Sequence, residues 1–354
     1  MDRFVQLHFL TSYPPANLNR DDLGRPKTAR MGGAERLRVS SQSLKRAWRT
    51  SDVFAEALAE NVGTRTKRMG EQVYRRLVEK GVKEKDALQW AADIAKQFGK
   101  PVASKPKEAK ELYIGQLAHF SPREIEAINA LADNAAERGT APTEEELQAL
   151  HQHSSAADIA MFGRMLAEAP SFNVEAAAQV GHAISVHKVA VEDDFFTAVD
   201  DLNPRDEDVG AGHMGVTEFG AGLFYLYTCI DRELLLKNLA HDRDLAKKAI
   251  AALTEAVATV APTGKQASFG SRARAAYGLA ERGSAQPRSL ASAFLKAVDG
   301  EDYLQESIAR IEETVEAFAK VYEDGDENRV SFNVPKGQGR LADLIDYATE
   351  WQDG

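Results

Sequence analysis

Alternating apolar and polar residues open the chain. Val5, Leu7 and Phe9 alternate with polar neighbours, which predicts a strand over residues 4–10 with one apolar face. A polar stretch rich in Gly and Pro follows over residues 12–39, and we expect a long loop there. Structureless loops of this length in compact proteins are usually functional or disordered.

Helical spacing dominates the next part of the chain. A first helix is predicted to begin near Ser40, and the pattern stays helical, broken by loops, over residues 52–167. Ser121, followed by Pro122, and Thr143 are typical helix starts. We interpret this block, rich in Ala and Glu, as an inserted helical subdomain.

Strand patterns return after Pro170. Residues 180–186 alternate, residues 216–231 are rich in aromatic and β-branched side chains, and further strands are predicted at 265–272 and 330–334. Helices are predicted over four segments, which are 242–260, 289–298, 303–323 and 341–351. Without the helical block, the order is strand, helix, strand, strand, helix, strand, which is typical of ferredoxin-like and RNA-recognition folds.

Charge is distributed unevenly along the 354 residues. The net charge is −10, yet residues 20–49 hold nine cations and three anions, or +6. Residues 299–354 hold five cations and fifteen anions, or −10. An acidic total can therefore coexist with a basic surface that attracts a polyanion.

The composition excludes several classes of protein. With 44% hydrophobic and 28% charged residues, the chain is neither wholly disordered nor collagenous. Its single cysteine, Cys229, excludes an internal disulfide and a multi-cysteine zinc site. No apolar run is long enough to span a membrane, and the first ten residues are too polar for a signal peptide, so we expect a cytoplasmic protein.

Residues 37–49 contain the strongest candidate for a binding site. Three serines and Gln42 crowd the predicted helix start, and Lys45, Arg46 and Arg49 follow with no acid before Asp52. Cations near a helix N-terminus are unfavourable unless an anion binds there, so the pattern favours a phosphate. An ordinary serine cap with a solvated basic face explains the same residues.

Two other segments suggest chemistry less directly. Residues 210–215 match G-x-G-x-x-G, but an acidic loop precedes them and a strand follows, which favours a hairpin tip over a dinucleotide site. Phe195 and Phe196 lie between two acidic pairs, so this arm is suited to wedging between bases rather than to gripping phosphates. At least one of these rings is expected in the core.

Six motifs occur in order along the chain. They are Leu18-Asn19-Arg20-Asp21-Asp22, Gly32-Gly33, Arg38-Val39-Ser40-Ser41-Gln42-Ser43-Leu44-Lys45-Arg46-Ala47, Asp158-Ile159-Ala160 with Gly163-Arg164-Met165, Ala183-Ile184-Ser185-Val186-His187 and Phe196-Thr197-Ala198-Val199-Asp200-Asp201. Together they resemble the motifs of the CasC family, the backbone subunits of type I-E CRISPR Cascade complexes. The resemblance covers most of the chain and weakens over about 55–155 and beyond 300.

The resemblance implies a hand-shaped α+β protein. Its palm is a modified RNA-recognition, or ferredoxin-like, fold formed by residues 1–52 and 168–354. A helical insertion over residues 53–167 forms the fingers, and a β-hairpin over residues 191–218 forms the thumb.

The family implies a non-catalytic, sequence-independent binder of CRISPR guide RNA. Six copies form a filament along the guide, kink it about every sixth nucleotide, and present it for pairing with target DNA. The implied partners are the guide, further copies of the chain and the CasA, CasB, CasD and CasE subunits, with no membrane, cofactor or metal.

The resemblance also implies the RNA-binding residues. Arg20 and Lys27 correspond to loop contacts with guide phosphates, and Arg164 and Met165 to a contact at the base of the fingers. Phe196, Thr197 and Met214 correspond to the wedge of the thumb, although Leu can stand in the family at the position of Met214. The palm site consists of Ser40, Gln42, Ser43, Lys45, Arg46 and Arg49.

Two other functions remain open on the sequence. One is a guide-processing endoribonuclease of similar fold, with His182 or His187 as the general acid or base. The other is an acidic scaffold that contacts only protein through residues 299–354. His182 is otherwise expected to be a core histidine.

Overall fold

The computed structural model describes residues 2–103, 106–150, 156–167, 169–198, 213–323 and 329–351. The strands are β1 (Phe4–Ala16), β2 (Thr28–Met31), β3 (Ala34–Val39), β4 (Thr64–Thr66), β5 (Ala118–Phe120), β6 (Ala178–Val180), β7 (Ala183–Ser185), β8 (Glu192–Ala198), β9 (His213–Asp231), β10 (Ala275–Gly283) and β11 (Val330–Asn333). The helices are α1 (Ser41–Arg49), α2 (Asp52–Leu58), α3 (Met69–Glu79), α4 (Glu84–Lys96), α5 (Pro122–Arg138), α6 (Glu144–Ala149), α7 (Ala157–Phe162), α8 (Arg232–Asn238), α9 (Arg243–Thr259), α10 (Gln266–Phe269), α11 (Tyr303–Tyr322) and α12 (Leu341–Thr349).

The chain divides into two compact units. The first, here called the sheet unit, comprises Met1–Val53, Val180–Cys229 and Leu253–Gly354. The second, here called the helical unit, comprises Phe54–Gln179 and Ile230–Ala252. Residues 230–252 thus pack with the helical block although they lie far from it in sequence. The division into palm, fingers and thumb stays a prediction.

The main sheet has the strand order β11-β10-β1-β9-β7-β3-β2, and β8 pairs with β9. Its central strands, β10-β1-β9-β7, have the 4-1-3-2 order of a ferredoxin-like sheet when they are numbered along the chain. The α+β class is therefore confirmed. Strand β1 is buried on both faces over Phe4–Thr11, so Gln6 and His8 lie inside the protein.

Each unit has its own apolar core. In the sheet unit, Leu10, Tyr225 and Leu279 from the sheet pack with Ile308 and Ile311 of α11. In the helical unit, α3, α4 and α5 supply the core, and β4 pairs with β5 in a small separate sheet. The helix starts at Ser121 and Thr143 are confirmed, and each forms a capping box.

The predicted loop over residues 12–39 was wrong in part. Strand β1 continues to Ala16, and β2 and β3 form a hairpin through Gly32 and Gly33. Both glycines have positive φ, +57° and +78°, as a tight turn between twisted strands requires. The alternation of apolar and polar residues did not predict this hairpin, because its strands are short and mostly polar.

Two later predictions were also wrong. The strand expected at 265–272 is the short helix α10, and the strand lies further on, as β10. Because β10 is buried on both faces between β1 and β11, its residues show no alternation. The helix expected at 289–298 is only a 3-10 turn, at Leu290–Phe294.

Candidate nucleic-acid interface

Helix α1 presents one buried face and one polar face. Leu44, Ala47 and Trp48 are buried, which fixes the helix on the sheet unit. The residues at helical spacing on the opposite side are exposed or half-buried, and they are Gln42, Lys45, Arg46 and Arg49. The predicted helix start at Ser40 is confirmed, and the first turn contains no acid. Three cations thus share the outward face of one short helix.

The N-terminus of α1 is capped by side chains of the protein itself. Ser40 Oγ accepts a hydrogen bond from Ser43 N–H at 3.4 Å. Asn19 Oδ1 accepts from Ser40 N–H at 2.9 Å, and His182 Nδ1 accepts from Ser41 N–H at 3.0 Å. Three backbone donors therefore already have acceptors, so an anion at α1 would rely mainly on its cations.

His182 belongs to this polar cap, and its expected place in the core was wrong. It is exposed, and it lies just before β7 rather than within a strand. Partial desolvation in the cap lowers its pKa, and the positive charges of Arg38 and Lys27 lower it further. Two cations therefore lie near His182 at the start of α1.

Residues 17–27 form an ordered loop, here called the basic loop. Asp21 Oδ1 accepts from the N–H groups of Leu23 and Arg25, both at 2.9 Å, which closes the tip. Lys27 N–H donates to Asn19 O at 2.8 Å. Because Asn19 also bonds to Ser40, the loop holds Lys27 and the exposed Arg20 beside the start of α1.

The basic loop also contacts the base of the predicted thumb. Arg25 forms an ion pair with Glu218 of β9 at 2.9 Å. Asn17 Nδ2 donates to Glu218 O at 2.9 Å and to Gly24 O at 2.9 Å. The loop therefore links the α1 cap to the hairpin of β8 and β9.

The hairpin of β8 and β9 has two different faces. Thr197 pairs with Met214, and Phe195 pairs with Val216, so these four side chains share one face. Phe195, Met214 and Val216 are each more than 60% exposed. Residues 199–212, including Asp200, Asp201, Gly210 and Gly212, lie outside the described part of the chain.

Phe196 lies on the opposite face from Thr197 and Met214. It pairs with Gly215, where an added Cβ would come within 2.4 Å of the Phe196 ring. The three wedge residues expected from the resemblance are therefore split between the two faces. The resemblance supplied neither Phe195 nor Val216, although the acidic neighbours of Phe195 had marked it as suited to wedging between bases. The expectation that Phe195 or Phe196 lies in the core was wrong, because both rings are exposed.

Arg164 and Met165 lie in the helical unit and have opposite environments. The Arg164 guanidinium is buried and makes a two-point ion pair with Glu124, at 2.8 and 2.9 Å. It also donates to the carbonyl oxygens of Phe172 and His119. Met165, next to it, is 81% exposed. The geometry therefore makes Arg164 an anchor and presents Met165 outward.

Neither histidine of the enzyme alternative has an obvious catalytic partner in the described residues. The His187 ring is bonded at both nitrogens, with Leu223 N–H donating to Nε2 at 3.1 Å and Nδ1 contacting Lys188 O at 3.0 Å. It also stacks on Tyr303 with ring centroids 4.4 Å apart. Within the described ranges, no three His, Cys, Asp or Glu side chains are grouped for a metal, and no helix is long and apolar enough to cross a membrane.

Comparison with known proteins assigns the family. The profile of the CT1975-like protein family matches residues 5–348. The chain belongs to this family. A search of curated proteins found no match.

Two solved structures resemble this CT1975-like chain over nearly its whole length. One is a chain of a "CRISPR RNA-guided surveillance complex, pre-nicking", with a TM-score of 0.84 and 31% identity. The other is a chain of a "CRISPR RNA-guided surveillance complex", with a TM-score of 0.72 and 26% identity. In both cases the match covers 98% of this chain and 99% of the other. The CT1975-like chain therefore has the fold of a surveillance-complex subunit.

Proposed function

We propose that the chain is the guide-RNA-binding backbone subunit of a type I-E CRISPR surveillance complex. The observation that carries this proposal is the end-to-end likeness, at 31% identity, to a chain of an RNA-guided surveillance complex. The match spans a whole subunit rather than one domain of it, which supports proposing the role of a whole subunit.

Binding is proposed to rest on phosphate contacts from the sheet unit. Arg20 and Lys27 of the basic loop lie beside the α1 cap, and Lys45, Arg46 and Arg49 extend along the outward face of α1. Phosphate contacts position a strand without reading its sequence, and Arg and Lys side chains suit them. Ser40, Gln42 and Ser43 complete this proposed palm site.

The remaining proposed contacts are apolar. Met165 and the exposed thumb residues can pack against bases, since a base presents an apolar face whatever its identity. Thr197 and Met214 act on one face of the thumb and Phe196 on the other. Arg164, whose guanidinium is committed to Glu124, acts by positioning Met165.

We further propose that the chain works without catalysis of its own, in the cytoplasm. Six copies assemble along the guide, and each thumb kinks the RNA about every sixth nucleotide. The segments between kinks pair with target DNA, so base pairing supplies the specificity. CasA, CasB, CasD and CasE complete the complex.

The proposal is tested by RNA binding to the purified full-length chain. Fluorescence anisotropy with two unrelated single-stranded RNAs of equal length should give equal affinities. The double variant Lys45→Ala/Arg49→Ala should weaken both affinities alike and flatten their salt dependence by about 0.7 per lost phosphate contact. Lys296→Ala/Lys336→Ala, which removes two exposed cations elsewhere in the sheet unit, is the control. Unchanged affinity in the first variant would contradict the palm assignment.

A further inference from the structure

A cavity of about 530 Å³ lies at the carboxyl end of α1. Its walls come from residues 47–53, from the end of α9 at 259–261, and from 263–274, all within the sheet unit. Arg272 and Arg274 line it, and both are exposed. The volume falls within the range of about 300–1,000 Å³ that is typical of small-ligand sites.

The two guanidinium groups have no protein acceptor within the described ranges. The more buried arginines of the sheet unit are paired, as Arg282, Arg288 and Arg329 show. For Arg272 and Arg274 there is no such ion pair or side-chain hydrogen bond among the described residues. Arg272 and Arg274 are separated by one residue and line the same cavity, so two unpaired guanidinium groups are available to one ligand there. Unpaired guanidinium groups that line a concave surface are suited to a phosphate, which they bind with two parallel hydrogen bonds.

The carboxyl end of α1 opposes an anion in this cavity less than a bare helix end would. Helix ends of this kind normally expose carbonyl oxygens with a partial negative charge. Here Thr50 Oγ1 donates to Arg46 O at 2.9 Å, and Ser51 Oγ donates to Trp48 O at 2.6 Å. Asp52 is the one acid among the lining residues. The wall therefore contributes two cations, one carboxylate and hydroxyl-capped carbonyls.

One wall of the cavity, formed by residues 263–274, reaches the basic loop of the proposed RNA site. On the α1 side it is lined by Ala47 and Thr50, whereas Lys45 and Arg49 project from the opposite face of that helix. The segment that forms its far wall also contacts the basic loop, because a Cβ on Gly264 would approach Leu18 O to 2.3 Å. Lys265 Nζ lies 3.5 Å from Thr217 Oγ1 of β9. The same wall thus reaches the loop and the thumb strand.

We propose that this cavity binds a phosphate of the RNA strand, with Arg272 and Arg274 as its ligands. This inference rests on the proposed function. The strand then passes from the basic loop to the cavity at the carboxyl end of α1, and apolar walls such as Val53 and Val260 take the adjoining sugar or base. The Asp52 carboxylate on the cavity wall repels the phosphate and weakens its binding.

Salt-dependent RNA binding tests the inference. Arg272→Ala/Arg274→Ala in the full chain should weaken binding of an unstructured single-stranded RNA by about threefold or more, and flatten the slope of log affinity against log salt by about 0.7–1.4. Lys296→Ala/Lys336→Ala removes the same charge away from the cavity and should leave the slope as in the unmodified chain. Arg272→Lys/Arg274→Lys should retain the slope with intermediate affinity. Asp52→Asn should strengthen binding.

The outcomes separate this inference from the proposed function. One outcome is that binding depends on Lys45 and Arg49 while Arg272→Ala/Arg274→Ala has the same affinity and salt slope as the Lys296→Ala/Lys336→Ala control. In that case the cavity is not on the RNA path, and only this inference fails. If Asp52→Asn leaves affinity unchanged while the alanine variant weakens it, the arginines bind RNA outside the cavity, which also overturns the assignment. If the unmodified chain binds no RNA, both proposals fail.

Discussion

At the scale of single residues, the sheet unit contains a buried charged network that holds β1 to β10. His8 Nδ1 accepts from the Tyr225 hydroxyl at 2.9 Å, and Nε2 donates to Glu281 at 3.1 Å. Glu281 also pairs with Arg288 at 2.9 Å and with Arg329 at 3.2 Å. This buried carboxylate therefore balances two half-buried cations.

We predict that Glu281→Gln lowers the free energy of unfolding by about 2–3 kcal/mol, because it removes the buried carboxylate that two half-buried arginines share. Chemical denaturation at neutral pH measures the change. The control is Glu316→Gln, which removes an exposed carboxylate that also contacts Arg329. It should cost about 1 kcal/mol or less. Equal losses in the two variants would contradict the role of the buried network.

The same residue predicts a pH dependence. Burial alone raises the pKa of Glu281, but hydrogen bonds from His8 and Arg288 outweigh burial and lower the pKa from 4.5 to about 2. Since the folded-state pKa lies below the unfolded value, the stabilisation is complete above pH 4.5 and is lost as the pH falls toward 2. The stability difference between the protein and Glu281→Gln should narrow over that window. A difference that stays constant would show that Glu281 is not held ionised.

Arg164 and Met165 are neighbours with separable roles. We predict that Met165→Ala leaves the thermal midpoint unchanged and weakens RNA binding, because the side chain is 81% exposed. Arg164→Ala should instead lower stability by about 3–5 kcal/mol, since it strands the buried Glu124 carboxylate. Calorimetry and anisotropy on both variants check this. A stable Arg164→Ala protein would contradict the anchoring role.

At the scale of elements, the turn between β2 and β3 is a contact point as well as a connection. Gly32 packs so closely on the 3-10 turn that an added Cβ would lie 1.5 Å from Leu295 O. Gly33 has a similar left-handed conformation but faces open space. A substitution at Gly33 therefore measures the free-energy cost of the left-handed conformation alone. The same substitution at Gly32 measures that cost together with the cost of the close contact.

We predict that Gly33→Ala costs about 1–2 kcal/mol, the usual penalty for a left-handed alanine. Gly32→Ala should cost more, because Leu295 or the hairpin must move as well. Urea denaturation of both variants measures the difference. Equal costs would mean that the hairpin does not pack on the turn at Leu290–Phe294.

The helices and strands that the sequence predicted correctly are those marked by residues close together in the chain. The start of α1, the capping boxes at Ser121 and Thr143, and the strand at residues 216–231 each follow from neighbouring residues. Strand β10 was misplaced because burial on both faces removes the alternation that marks a strand. The pairing of Arg164 with Glu124 joins residues forty positions apart, and no local pattern encodes it.

At the scale of the whole molecule, positive and negative charges are concentrated in different segments of the sheet unit. The +6 segment at residues 20–49 contains the basic loop and α1, and the −10 segment at 299–354 contains α11 and α12. The sequence predicted a basic surface hidden in an acidic chain. The contacts of Asn19, Asn17 and Arg25, which join loop, helix and thumb, needed the structure.

The central claim is that many copies bind one RNA at a fixed spacing, whatever its sequence. Native mass spectrometry of the purified chain with single-stranded RNAs of increasing length tests it most directly. We predict that the number of bound copies rises by one for each fixed increment of about six nucleotides, equally for unrelated sequences, since backbone contacts do not read bases. One copy at every length, or none, would contradict the backbone role for the isolated chain.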